Sequence, residues 1–279
     1  MSKVRRQIKA QRIVVFDSGV GGLSVVGEIR RLMPDLAIDY VADDEFRPYG
    51  DKSEAALKAR LPQLLRTIEI MLRPDAIVVA CNTASVTALS AIRAAVTTPV
   101  IGVVPAIKPA ARLTKTGRIG VLGTPGTVRR QYVDGLIQKF AAHCDVTLQG
   151  SVNLVEWAEQ KLAGQAISQK ALQQEITPFF ADVGQAPIDV IVLACTHFPL
   201  LAEELRQSAP SAVQWIDSGS AIAKRVSVVL QSDGAVSSDK QATERREDIA
   251  FLIGPNADAA RKAAFVSYGF NPVIGLKPV

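Results

Sequence analysis

The sequence predicts two pseudo-symmetric α/β lobes, with mainly parallel sheets and a site in the cleft between them. Three observations lead there. Apolar, β-branched runs alternate with stretches of helical spacing; a strand-and-cysteine segment occurs twice, 114 residues apart; and a strand-and-hydroxyl segment occurs twice, 106 residues apart.

The alternation comes first. Arg12–Phe16, Ile38–Ala42, Asp75–Ala80, Pro99–Val103, Arg118–Leu122, Asp189–Ala194 and Val213–Ile216 read as strands, and Ala55–Leu72 and Leu154–Leu162 carry apolar residues at helical spacing. Near-continuous apolar strands separated by helices indicate parallel sheets covered on both faces. Ligands of such folds bind beyond the carboxyl ends of the strands, so the residues that follow each apolar run are the candidates for chemistry.

The repeats locate those residues. Asp75-Ala-Ile-Val-Val-Ala-Cys81-Asn82-Thr83 matches Asp189-Val-Ile-Val-Leu-Ala-Cys195-Thr196-His197 position by position, and Arg12-Ile-Val-Val-Phe-Asp17-Ser18-Gly19 matches Arg118-Ile-Gly-Val-Leu-Gly123-Thr124-Pro125. Each half therefore offers one strand ending in a hydroxyl residue and one ending in a cysteine. The first lobe is expected over 1–106 and the second over 107–217, with 218–279 returning to the first. That tail reads as a helix over Ser220–Leu230, a polar Gln231–Glu247 loop and a strand-helix unit over Ile249–Tyr268.

Composition narrows the function classes. The chain is 48% hydrophobic and 21% charged, an ordinary globular balance. No apolar run reaches the roughly 18 residues of a membrane span, and the basic Met1–Arg12 segment precedes no signal-length apolar stretch, so a cytoplasmic protein is expected. Three cysteines, Cys81, Cys144 and Cys195, form no disulfide framework and leave thiols free for chemistry. The net charge of +5 is spread over short clusters such as Arg129–Arg130 with no aromatic platform, which argues against nucleic acid. Neither CxxC nor HxxxH spacing is present, so zinc is disfavoured; no lysine follows a repeated strand, so pyridoxal chemistry is too. His143 and Cys144 read as surface or packing residues.

Paired thiols suit one reaction type in particular. Inverting an α-carbon needs a base on one face and an acid on the other, and equivalent positions on facing lobes supply such a pair. A thiol with a pKa of about 8.5 serves either role near neutrality, and a following helix N-terminus lowers it. Cys81 and Cys195 meet that description, each after a strand and before a helix expected near Ala84 or Pro199; a lone cysteine there would be only a small buried hydrophobe. Asp17-Ser18-Gly19-Val20-Gly21-Gly22 can cap a helix and bring amides close to an anion, but Ser24 breaks the dinucleotide fingerprint. Arg47-Pro48-Tyr49-Gly50 reads as a turn, while Asn82, Thr83, Thr196 and His197 offer donors for the carboxylates of a small acidic substrate.

These residues resemble the glutamate racemase family, within the wider aspartate/glutamate racemase superfamily. The resemblance rests on Phe16-Asp17-Ser18-Gly19-Val20-Gly21-Gly22-Leu23-Ser24-Val25, Pro48-Tyr49-Gly50, Ala80-Cys81-Asn82-Thr83-Ala84-Ser85 and Ala194-Cys195-Thr196-His197-Phe198-Pro199-Leu200-Leu201. It implies interconversion of L- and D-glutamate without a cofactor, supplying D-glutamate for peptidoglycan, and a homodimer. It further implies that Cys81 takes the proton from D-glutamate and Cys195 from L-glutamate, that Asp17 assists one thiol and His197 with Glu156 the other, and that Asp17, Ser18, Tyr49, Gly50, Asn82, Thr83, Thr124, Thr196 and His197, together with Thr127, contact the substrate. Gly150-Ser151-Val152-Asn153 departs from the family's cysteine- and proline-containing segment just before Glu156. The competing expectations are a sister racemase for aspartate or a related acid, and a non-catalytic binding protein using the basic surface.

Overall fold

A computed structural model describes residues 11–181, 186–232, 247–254 and 259–277. In chain order the elements are β1 (Arg12–Asp17), α1 (Leu23–Leu32), β2 (Ala37–Ala42), α2 (Glu54–Leu72), β3 (Ala76–Val79), α3 (Asn82–Ala95), β4 (Val100–Gly102), α4 (Ile107–Leu113), β5 (Arg118–Gly123), α5 (Pro125–Val128) and α6 (Gln131–Phe140). They continue with β6 (Asp145–Gly150), α7 (Asn153–Leu162), α8 (Gln169–Ile176), β7 (Val190–Ala194), α9 (Ala202–Ser208), β8 (Gln214–Ile216), α10 (Gly219–Ser232), β9 (Ala250–Ile253), α11 (Ala259–Ser267) and β10 (Val273–Leu276).

Two parallel sheets result, of order β10-β9-β2-β1-β3-β4 and β6-β5-β7-β8. The first four strands and the next four share one order, so the sequence repeat is a repeat of topology. β9 and β10 extend the first sheet beyond β2. The pleat explains why the central strands are apolar throughout. On β1, Ile13 and Val15 pack with residues of α1, α10 and α11, whereas Val14 and Phe16 pack with residues of α2 and α3. On β7, Ile191 and Leu193 face a core that includes α7 and α8, and Val190 and Val192 face one that includes α4 and α6.

Two strands escape the sequence reading. β6 and β10 lie at sheet edges with half-exposed residues, so neither shows an apolar run. The helix expected near Pro199 begins as a 3₁₀ turn, Phe198–Leu201, before α9. Most of the predicted Gln231–Glu247 loop, residues 233–246, lies outside the described residues.

Register is what assembles the site. Phe16 pairs with Val79 and Gly123 with Ala194, so in each sheet the hydroxyl-bearing turn and the cysteine emerge side by side.

Candidate active site

Asp17 closes β1 with a fully buried carboxylate. Its Oδ1 accepts from the Ser18 amide at 2.5 Å and the Ser18 hydroxyl at 3.1 Å; its Oδ2 accepts from the Gly22 amide and, across the cleft, from the Thr196 hydroxyl at 3.2 Å. Burial raises its pKa, opposed by the His197 charge and by the Ser18 and Gly22 hydrogen bonds. The turn it caps depends on small residues: a Cβ on Gly21 would strike the His197 ring and lie 2.7 Å from Thr196 Oγ1, and one on Gly22 would lie 2.6 Å from the Tyr40 hydroxyl. That hydroxyl donates to the Gly19 carbonyl at 2.9 Å, holding the turn from below.

Cys81 caps the N-terminus of α3, and its sulfur is 3.8 Å from Ser18 Oγ. Burial and then the neighbouring Asp17 charge push its thiol up, while a hydrogen bond from the Ala84 amide pulls the other way. Cys195 follows β7, with its sulfur 3.9 Å from His197 Nδ1. Burial pulls the imidazole down, but the neighbouring Cys195 sulfur and Glu159 carboxylate outweigh that and raise it to about 10. The imidazole is thus a cation at neutral pH.

Both thiols line one cavity of about 190 Å³. That volume suits a ligand smaller than the drug-sized molecules that fill pockets of roughly 300–1,000 Å³. The same cavity is lined by Asp17, Ser18, Tyr49, Gly50, Asn82, Thr83, Thr124, Glu156, Thr196 and His197. A wider cleft of about 630 Å³ shares Asn82, Cys195 and Thr196 but lacks Cys81 and Asp17, so it does not join the two thiols.

The walls are rich in neutral donors. Thr83 Oγ1 lies 3.2 Å from that of Thr124 and 3.0 Å from that of Thr127, and the last two are 3.0 Å apart, a triangle of hydroxyls spanning both halves. Asn82 Nδ2 is buried and makes no hydrogen bond among the described residues. A buried donor left unpaired costs about 1–3 kcal/mol, so this amide is a natural carboxylate contact. Tyr49 lines the cavity, and its hydroxyl donates to Asp43 at 2.6 Å, a carboxylate also chelated by Arg60. No group of three or more His, Cys, Asp or Glu side chains among the described residues is placed to hold a metal ion.

Glu156, the expected partner of His197, lines the same cavity, but the carboxylate beside the ring is that of Glu159. Glu156 is exposed and accepts from Gln160 at 3.4 Å, whereas Glu159 Oε1 stands 3.5 Å from His197 Nε2. Both lie on α7, three positions apart and hence on adjoining parts of one face; the approach of the helix brings the later residue to the ring. Burial raises the Glu159 pKa, but the nearby His197 imidazole, followed by Arg261, holds it down to about 2. Glu159 and its partners Arg47 and Arg261 were not singled out from sequence for this site; the only local signal was a second glutamate within a turn of the first.

A family model described as Asp/Glu/Hydantoin racemase matches residues 25–226. A glutamate racemase of Yersinia enterocolitica is 45% identical over 259 residues, spanning 92% of this chain and 88% of that relative. The crystal structure of Escherichia coli glutamate racemase in complex with L-glutamate and the activator UDP-MurNAc-Ala aligns with a TM-score of 0.87 at 42% identity, covering 97% of this chain and all of the other. Glutamate racemase isoform RacE1 of Bacillus anthracis aligns with a TM-score of 0.76 at 29% identity, covering 96% and 98%.

Proposed function

The chain belongs to the Asp/Glu/Hydantoin racemase family, and we propose that it interconverts L- and D-glutamate by exchanging protons between the substrate α-carbon and two thiols. The observation that carries the reading is that Cys81 and Cys195, from equivalent strands of a duplicated scaffold, line one cavity.

In the direction from L-glutamate, the Cys195 thiolate removes the α-proton. The electron pair left on carbon delocalises into the α-carboxylate, and the Cys81 thiol delivers its proton from the opposite face to give D-glutamate. The two sulfurs have then exchanged protonation states, and the reverse reaction begins from that form. The upward push on the Cys81 thiol keeps that sulfur protonated, as the form that accepts L-glutamate requires. Asn82 and the hydroxyls of Ser18, Thr83, Thr124 and Thr196 are suited to the two carboxylates, with backbone amides at the start of α3 contributing.

The product would feed peptidoglycan synthesis in the cytoplasm; among the described residues no helix is long and apolar enough to cross a membrane. A homodimer is expected from the family resemblance and is checked by sedimentation. The function is tested by incubating purified, cofactor-free protein with L- and D-glutamate, and separately with aspartate, in deuterated water. Inversion with one deuteron entering Cα of glutamate is expected. Faster turnover of aspartate would redirect the reading to a sister activity, and no exchange into either would leave a binding protein.

A further inference from the structure

Glu159 is held by more than His197. Its Oε2 accepts from Arg261 Nη2 at 2.9 Å and from Arg47 Nη1 at 3.5 Å, while its Oε1 faces the imidazole. Arg261 also chelates Asp44, with Nη1 at 2.7 and 2.8 Å from the two carboxylate oxygens, and Arg47 Nε reaches the same Asp44 at 2.7 Å. Two carboxylates, one on α7 and one in the loop after β2, are thus bridged by two arginines. Arg261 is the stronger bridge: its side chain is 11% exposed against 37% for Arg47, and its contacts are shorter. A planar guanidinium in this geometry fixes the carboxylates it joins.

Glu159 is a flexible side chain, 25% exposed, whose alternative is to turn into water. The contact that opposes this comes from α11, far along the chain from both thiols. We propose that Arg261 is a positioning residue of the racemase centre, locking Glu159 against His197 and so setting the protonation of the imidazole that serves Cys195. The role rests on the reading of Cys195 as an acid/base group, but its test does not depend on turnover.

Electrostatics give the test a sign. The charged or titratable groups facing His197 are Glu159 from α7, Asp17 from the end of β1 and Cys195 from its own loop; Arg47 and Glu156 line the same cavity. If Arg261 acted only as a nearby cation, deleting it would make the imidazolium easier to form, raising the His197 pKa. If it positions Glu159, deleting it lowers that pKa instead.

The experiment is an NMR titration of the imidazoles in the full-length protein. It is tractable because the chain has two histidines, and His143 lies elsewhere, its Nε2 3.4 Å from the Ala111 carbonyl. In Arg261→Leu the His197 pKa should fall by at least about one pH unit, a tenfold change in proton affinity. Arg261→Lys should recover part of it, and Arg261→Leu placed on Glu159→Gln should change it little further, because the carboxylate it acts through is gone. An unchanged or raised value in Arg261→Leu, or equal falls with and without Glu159, would overturn the proposal. If Arg261→Leu does not fold, Arg261→Gln, uncharged but still a donor, is read by the same titration and the same criteria. Absence of glutamate turnover with the expected shift intact would count against the catalytic reading and not against the positioning.

Discussion

The Thr196 hydroxyl donates to Asp17 at 3.2 Å, so the residue next to one thiol steadies the carboxylate that stands beside the other. Ser24 adds a second tie, its hydroxyl donating to the Thr196 carbonyl at 2.7 Å. This threonine ties the two halves of the site together beside the Thr83–Thr124–Thr127 triangle. Thr196→Val keeps the shape and removes the donor. Hydrogen bonds to charged groups are worth roughly 1.5–3 kcal/mol, so urea unfolding at neutral pH should show a loss of that order, with kcat lowered at least about tenfold in both directions, the scale of a 1.4 kcal/mol rise in barrier. A variant that matches wild type in both measurements would mean that the contact does not hold the lobes.

Replacing either thiol by an alcohol separates their duties. A serine hydroxyl cannot ionise near neutrality, so Cys81→Ser and Cys195→Ser should each lose at least the roughly 10²–10⁴-fold typical of a general acid–base group in racemisation. Each should still exchange the α-proton of one isomer. Cys81→Ser is expected to wash deuterium into L-glutamate without inverting it, and Cys195→Ser to do the same for D-glutamate, both followed by proton NMR. Exchange of the opposite isomer would require the faces to be reassigned.

Two glycines in the same stretch of chain should respond in opposite ways. A methyl on Gly21 meets the His197 ring and Thr196 Oγ1, so Gly21→Ala must push the second cysteine's loop away and should reduce activity at least about tenfold, equivalent to a barrier increase of about 1.4 kcal/mol. Gly27 sits inside α1 with nothing within 4 Å of the added methyl. Gly27→Ala should stabilise the fold by about 0.5–1 kcal/mol, since alanine loses less backbone entropy in a helix, and leave turnover unaltered. Thermal melting and a racemisation assay on both variants decide the matter.

What could be read before the coordinates follows from burial. The central strands announce themselves because both of their faces are covered, leaving uninterrupted apolar runs such as Ile13–Phe16 and Val190–Ala194. β6, carrying Asp145, Thr147 and Gln149 on a sheet edge, buries none of its residues fully and so lacks that signature. Cavity-lining residues that follow a repeated strand are legible for the same reason, since position after a strand end is nearly position in the cleft. Glu159 was not, because helical spacing gives a face but not which of two glutamates three apart meets a ring. Arg261 lay further still from reach: its link to Asp44 and Glu159 depends on how the tail returns across the first sheet, which no local pattern encodes.

The His197–Glu159 pair should leave its mark on stability as a function of pH. The His197 pKa is raised from 6.5 to about 10, so its contribution is complete below about pH 6.5 and is lost as pH climbs through 10. Glu159 is lowered from 4.5 to about 2, so its contribution is complete above about pH 4.5 and is lost as pH drops through 2. The pair therefore stabilises the protein most between about pH 4.5 and 6.5. Above that window the folded state holds a proton that the unfolded chain releases, a slope of about −1.4 kcal/mol per pH unit from this one group. Glu159→Gln removes the carboxylate that, after Cys195, does most to raise the imidazole, and other titrating groups are common to both proteins. The difference in unfolding free energy between wild type and Glu159→Gln, measured in urea at pH 5.5, 7.5 and 9, should be largest at 5.5 and shrink steadily toward 9. A difference that stays constant across the three would show that the ring and the carboxylate are not ionically coupled.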